Sequence, residues 1–255
     1  MSDPEKSAAM RPDLPAPERL PPLLLTRPAD RARGFLQRLE ACLSPLPPVL
    51  IAPVMEILPR PLPEDLSRYR GLILTSAQAA RLLAAPLSAP AFVVGEETAR
   101  AARARGLDVH AVAETAEDLL ALLRARPLAA PLIHLRGTET RLDLAAALSS
   151  AGTETHEAVV YEQRPIPLGE AARALLARPH AVVAPLFSPR SATLFARAAE
   201  GARAALHLVA MSPAVADAWR AHWTGPEPER LAILPAPRAA EMVHHVAELY
   251  RNWPG

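Results

Sequence analysis

The segment AVVAPLFSPRSATLFARA, Ala181 to Ala198, passes from an apolar run that reads as a buried strand, through Ser188, Pro189, Arg190 and Ser191, straight into a helix-like stretch. GLILTSAQAARLL, from Gly71, makes the same passage about a hundred residues earlier. Short apolar runs of this kind recur along the chain, bounded by turn residues and followed by Ala- and Leu-rich segments with helical spacing. Strands are expected at residues 23–25, 49–51, 72–74, 92–94, 109–111, 132–135, 181–184, 206–210 and 231–234. Helices are expected at 29–42, 77–84, 97–105, 116–126, 141–151, 191–200, 214–222 and 239–251. Alternation of strand and helix implies a parallel α/β sheet, because one parallel strand reaches the next only through a crossover, usually helical.

The chain also resembles itself. LLLTRPADRA at Leu23 matches LIHLRGTETR at Leu132, aligning Arg27 with Arg136. LILTSAQAA matches PLFSPRSA, aligning Ser76 with Ser188; FVVGEETARAA matches LVAMSPAVADAW, aligning Gly95 with Ser212; AEDLLALL matches AAEMVHHV, aligning Leu119 with Met242. The order is the same in both copies and the offset grows slowly, as loop insertions would make it, so the chain reads as a diverged duplication.

Two segments break the alternation. PVMEILPRPLP (Pro53 to Pro63) and VVYEQRPIPL (Val159 to Leu168) hold β-leaning residues beside prolines, which stop helices and stiffen connections. Read as linkers between two lobes, they interleave the chain. Residues 21–52 and 166–255 make lobe one, 60–157 lobe two, 53–59 and 158–165 the interlobe strands, and 1–20 a disordered tail. Of the nine expected strands, lobe one then owns five and lobe two four. One repeat per lobe, split at the middle, is the alternative, and two separate linkers favour the interleaved form.

Composition sets the outer limits. The 255 residues leave room for two domains of ordinary size, and half of them are hydrophobic but only 4% aromatic, so packing rests on Leu, Ala and Val. A net charge of +1 argues against an electrostatic nucleic-acid binder. Lys6 is the only lysine; arginine forks suit carboxylates and phosphates, but a GC-rich genome choosing arginine codons is the favoured reading of the bias. Cys42 stands alone, so no intrachain disulfide or thiolate cage is expected. With no long apolar run and no signal-peptide core, a cytoplasmic protein is expected.

In an open parallel sheet, ligands bind at the carboxyl ends of strands, where helix N-termini present unpaired N–H groups and partial positive charge. Thr26, Arg27, Thr75, Ser76, Gly95, Thr98, Arg136, Gly137, Ser188, Ser191 and Ser212 all fall at such turns. Any single Ser or Thr there serves first as a helix cap; the set together suits a flexible ligand with many carboxylates. Arg164 and Arg190 are further cations placed by sequence near these turns. Tyr161 lies on the second linker and offers either a ring that packs or a phenol that donates a proton to a leaving group. His244 and His245 have no partner pair at metal spacing, and His134 reads as a core or edge histidine. No Walker, G-x-G-x-x-G, G-x-S-x-G or H-E-x-x-H motif occurs.

Taken in order, LLLTRP, PVMEI, LILTSAQAA, VVGEETA followed by ARARGLDV, AEDLLALL, LIHLRG with Arg141 after it, AG-x4-EAVVYEQ and PLFSPRSA resemble the uroporphyrinogen-III synthase family, which closes hydroxymethylbilane in tetrapyrrole biosynthesis. The resemblance spans about residues 23 to 245. It implies an α/β fold of two flavodoxin-like parallel-sheet lobes, interleaved and joined by a two-stranded linker, with the product cleft between them. It implies a cyclising hydro-lyase that inverts ring D through a spiro intermediate, with no metal or organic cofactor. The implied partner is hydroxymethylbilane alone, with neither nucleic acid nor membrane, for a monomer that has room for transient contact with neighbouring pathway enzymes. Tyr161 falls on the family's linker tyrosine, Ser76 and Ser188 on its strand-end serines, and Thr98 on its G-x-x-T-A threonine. The chain departs from the family where I-G-P-T-T-A is replaced by MSPAVA, so Ser212, Ala214 and Val215 stand for a glycine and two threonines. That departure leaves open a non-catalytic two-lobed binding module for a polycarboxylate tetrapyrrole.

Overall fold

The computed structural model describes residues 20–84, 87–140 and 142–254. The expected tail lies outside the described residues except for Leu20, as does Arg141 at the head of one expected helix. The chain begins with β1 (Leu23–Leu25), α1 (Ala29–Glu40) and β2 (Val49–Ile51). It continues through β3 (Met55–Pro59), β4 (Gly71–Leu74), α2 (Ala77–Leu82), β5 (Pro90–Val94), α3 (Glu96–Arg103), β6 (Asp108–Ala113), α4 (Ala116–Arg124), β7 (Leu132–Gly137), α5 (Leu144–Ser149) and β8 (Thr155–Pro165). It ends with α6 (Glu170–Leu176), β9 (Ala181–Leu186), α7 (Pro189–Ala198), β10 (Ala205–Ala210), α8 (Pro213–Arg220), β11 (Arg230–Ile233) and α9 (Ala239–Arg251). The first and last groups make one compact unit and the middle group, Met55–Ile166, makes the other.

Unit one holds a five-stranded sheet in the order β11-β10-β9-β1-β2, parallel throughout. Unit two holds a six-stranded sheet in the order β3-β8-β7-β4-β5-β6, parallel from β8 to β6. The two orders are the same if β7 stands for β1, β8 for β2, and β4, β5 and β6 for β9, β10 and β11. Arg136 and Arg27, Ser76 and Ser188, and Gly95 and Ser212 therefore occupy matching corners, as their sequence alignment requires. The five strands expected of lobe one form in unit one, whereas unit two holds six, two more than the four expected. In unit two β3 pairs antiparallel with β8, from Met55 opposite Pro165 to Pro59 opposite Tyr161, so both linker segments join the sheet as strands.

Each sheet is covered on both faces, which is why its strands read as unbroken apolar runs. On β1, Leu24 packs with Phe195 of α7 and Trp219 of α8, while Leu23 and Leu25 face Phe35 of α1 and Val246 of α9. On β4, Leu72 and Leu74 meet Ala79, Ala80 and Ala99, while Ile73 meets Leu119, Leu123, Leu144 and Leu148. The period-two alternation of strand side chains sends neighbours to opposite layers. Trp219 and Phe195 are fully buried on one face of unit one with ring centroids 5.2 Å apart.

Helix starts follow local chemistry that hydrophobic spacing alone does not carry. The helix expected from Ser191 begins at Pro189, because Ser188 caps it and proline is preorganised for the first turn. The helix expected over 141–151 spans only Leu144–Ser149, started by the Asp143 carboxylate accepting from Ala146 N–H at 2.9 Å. Sequence spacing places no helix between Leu168 and Ala181, yet α6 forms there after Gly169 and buries Ala172 and Leu176 at i, i+4 spacing.

Candidate active site

A doubly wound sheet opens a crevice at the strand ends where neighbouring crossovers depart to opposite faces. In unit one that point lies between β1 and β9, since α1 packs on one face and α7 on the other. In unit two it lies between β7 and β4, followed respectively by α5 and α2 on opposite faces. The residues singled out from sequence at the ends of β1, β9, β7 and β4 thus flank the two switch points, one in each unit.

At the first switch point Thr26 is buried and its carbonyl accepts from Val54 N–H at 3.0 Å, which pins the end of β1. The Arg27 guanidinium carbon sits 3.9 Å from the centroid of Phe187, whose ring meets Phe35 edge-on at 5.3 Å. Stacking on the ring fixes the guanidinium at the strand end. Ser188 and Ser191 serve their own helix. Ser188 Oγ accepts from Ser191 N–H at 3.2 Å, Ser191 Oγ donates to Ser188 O at 3.0 Å, and the two hydroxyls lie 2.9 Å apart. Ser212 differs, because it stands at the N-cap of α8 with no side-chain cap bond. Neither α7 nor α8 carries an acidic residue in its first turn, so both N-termini keep their positive character.

At the second switch point Ser76 accepts from Gln78 N–H at 3.2 Å and heads α2, again without an acidic first turn. Gly95 adopts φ 81°, the left-handed region that accounts for a glycine at this corner. Glu96 and Glu97 follow it, paired with Arg103 at 3.1 Å and Arg81 at 2.9 Å, and Thr98 is buried behind them. Two carboxylates in the first turn favour the helix but repel an anion, so this corner is the least anion-receptive of those expected. Arg136 is also committed. Its Nε and Nη2 donate to the Glu157 carboxylate at 2.8 and 2.6 Å, and Nη1 donates to the carbonyls of Gly137 and Thr138. These bonds hold the Glu157 carboxyl below, and Arg136 above, their usual ranges. Arg164 is likewise paired with Glu56, its neighbour across the β3–β8 ladder.

Tyr161 stands opposite Gly137 in the β8–β7 register and is 5% exposed. A Cβ at position 137 would lie 2.6 Å from the Tyr161 ring and 3.0 Å from its hydroxyl oxygen. Gly137 is therefore the seat of the tyrosine ring. The Tyr161 hydroxyl makes no hydrogen bond among the described residues, whereas the comparably buried Tyr250 donates to Pro21 O at 3.0 Å. His134 joins the site although its sequence context marks only a core or edge histidine. It is fully buried on β7, its Nε2 is 3.2 Å from Thr75 Oγ1, and its Nδ1 is buried without a hydrogen-bond partner. Burial, reinforced by Arg136, pushes its pKa down to about 4, so the imidazole is neutral near pH 7. His244 is exposed and pairs with Glu248 at 3.1 Å. Among the described residues no group of three His, Cys, Asp or Glu could hold a metal ion, and no helix is long and apolar enough to cross a membrane.

The fold and its corners define a class: an α/β chain of two interleaved units that repeat one doubly wound sheet, each unit with hydroxyl- and arginine-bearing strand ends at its switch point. A family model described as uroporphyrinogen-III synthase HemD matches residues 48–232, and the chain belongs to that family. Its activity is that of a uroporphyrinogen-III synthase, a cyclising lyase of tetrapyrrole biosynthesis. The fold is similar to that of the uroporphyrinogen-III synthetase from Helicobacter pylori 26695, at 18% identity and TM-score 0.58 over 90% of this chain and 100% of that one. It is also similar to a mutant uroporphyrinogen III synthase from the extremely thermophilic bacterium Thermus thermophilus, at 18% identity and TM-score 0.52 over 91% and 99%. No curated protein matches the chain. The reading as a non-catalytic binding module gains no support from these comparisons.

Proposed function

We propose that the chain closes hydroxymethylbilane to uroporphyrinogen III with Tyr161 as general acid and with Thr26, Arg27, Thr75, Ser76 and Ser212 as its carboxylate-binding groups. Ser188, Ser191, Gly137, Arg136 and Thr98 shape those corners instead of meeting the substrate, and Gly95 contributes backbone only. The observation that carries this reading is the Tyr161 phenol, which lies beside the end of β7 with its hydroxyl unbonded to any described residue. The enzyme acts in the cytoplasm as a monomer.

Hydroxymethylbilane carries eight carboxylates and a hydroxymethyl group. Proton donation from the phenol lets that hydroxyl depart as water and leaves an electrophilic azafulvenium cation, and the proton lost as the closed ring regains aromaticity restores the phenol. Ring D is attacked at its already substituted carbon, and the resulting spiro intermediate fragments and recloses with the ring inverted. Uncontrolled, the linear chain closes to the symmetric isomer I, so most of the task is conformational, where positioning effects are large. A guanidinium stacked on Phe187 and hydroxyls at helix starts supply fixed partners for the carboxylate arms.

Incubation of the purified chain with fresh hydroxymethylbilane, followed by separation of the isomers, tests the proposal. Isomer III above the spontaneous yield is expected, and isomer I alone refutes it. A general acid contributes on the order of 10²- to 10⁴-fold, so Tyr161→Phe slows turnover without abolishing it. Turnover unchanged within about twofold removes Tyr161 from that role.

A further inference from the structure

We infer that His134 is a positioning residue whose Nε2–H donates to Thr75 Oγ1 and so turns the Thr75 hydroxyl into an outward donor for a substrate carboxylate. The inference rests on the carboxylate-binding reading of Thr75. His134 and Thr75 lie at the adjacent strands β7 and β4, at the switch point of unit two, with Nε2 and Oγ1 3.2 Å apart. His134 is 0% exposed, and its Nδ1 is buried without a hydrogen-bond partner among the described residues. A neutral imidazole carries one N–H. If that proton were on Nδ1, a buried donor would be orphaned, which proteins tolerate less readily than an under-used acceptor. With the proton on Nε2, the deficit at Nδ1 is only a lone pair.

That choice of tautomer decides what Thr75 can do. A threonine hydroxyl has one proton and two acceptor sites. If Nε2 were the acceptor, Thr75 would spend its proton inward and turn only lone pairs toward a carboxylate, which repels them. With Nε2–H as donor, Oγ1 accepts inward, and its own proton is free for the half-buried side of the residue at the end of β4. Buried chains of hydrogen bonds polarise one another, so donation from His134 also makes the threonine hydroxyl a better donor.

The test combines nitrogen-15 NMR of the histidine rings with kinetics on hydroxymethylbilane. His134, assigned by the signal lost in His134→Gln, is expected as the Nε2–H tautomer, and an Nδ1–H tautomer overturns the inference. Thr75→Val and His134→Met are each expected to raise KM about tenfold, the effect of one charge-assisted hydrogen bond, with kcat little changed. The double variant adds nothing further. His134→Gln, whose amide N–H can occupy the place of Nε2–H, is expected to keep KM within about threefold; a purely packing role for His134 would not rank Gln above Met. If Thr75→Val leaves KM unchanged, the carboxylate-binding reading of Thr75 fails and this inference with it. If Thr75→Val raises KM and His134→Met does not, the inference fails alone.

Discussion

Gly137→Ala is the most searching perturbation of the site, because it adds one methyl group where the Tyr161 ring now lies. The new Cβ would stand 2.6 and 2.7 Å from two ring carbons and 3.0 Å from the hydroxyl oxygen. Ordinary carbon contacts need about 3.5 to 4.0 Å, so ring and strand must separate by roughly an ångström. Overpacking of that kind costs about 1 to 3 kcal/mol, and a reacting group misplaced by 1 Å can lose about 10²-fold in rate. The expected outcome is a lower melting temperature and a kcat lowered ~10- to 100-fold. The decisive comparison is Gly137→Ala in a Tyr161→Phe background. Phenylalanine keeps the ring and the clash but has no proton to misplace, so the stability loss persists while the loss in kcat disappears. Thermal melts and single-turnover formation of isomer III read the two effects separately. An equal fractional loss of kcat in both backgrounds would refute the argument that Gly137 acts through the phenol, as would a full-rate Gly137→Ala enzyme.

The serines that look alike in sequence are expected to behave differently: Ser188→Ala loses about 1 kcal/mol of stability as a broken cap with little change in KM, while Ser212→Ala raises KM and leaves the melting temperature alone. Acid should destabilise the fold through His134. The unfolded histidine binds its proton near pH 6.5 and the folded one only near 4, so the unfolded state holds more protons in that window and stability falls as pH drops from 6.5 to 4. The full shift corresponds to on the order of 3 kcal/mol, and chemical denaturation across that range should show a shallower decline for His134→Gln. Glu157 acts lower, since its depressed pKa gives a stabilisation present above the usual carboxylate value and lost as pH falls through the folded one. Added salt should raise KM for the polycarboxylate substrate by screening, and a KM flat from low to high ionic strength would contradict the electrostatic reading.

The strands were legible because sheets buried on both faces demand unbroken apolar runs, and Leu23–Leu25 and Ala181–Leu186 announce themselves that way. The corners were legible too, since every parallel strand must end in a turn. What each corner does was not. Ser188 and Ser212 each precede a proline that opens a helix and share extended dihedrals, yet only Ser188 folds back to cap, with Ser191 three residues on bonded to it. The Arg136–Glu157 pair depends on the register of β7 against β8, which is set by packing on both faces. Gly137 looks in sequence like a loop glycine for a ligand, and only its place opposite Tyr161 shows that a ring fills the space. His134 has the sequence context of any core histidine; its half-satisfied ring becomes visible once burial and the Thr75 distance are known together.

The interleaving of the two units has a consequence for biosynthesis. Unit two is one continuous stretch, so every partner it needs is present once the ribosome has made Ile166. Unit one is split, and β1, its second strand from one edge, pairs with β9 on the far side of the insertion. Lengthening the closing loop adds little to its entropic penalty, because that penalty grows only with the logarithm of length, but it does impose a wait. Until Ala181–Leu186 is synthesised, the Leu23–Leu25 strand has an open flank and an uncovered apolar face, the kind of surface that recruits chaperones or other nascent chains. Slow translation through the middle of the gene would lengthen that exposure, so yield in a cell depends on elongation speed as well as on the stability of the finished protein.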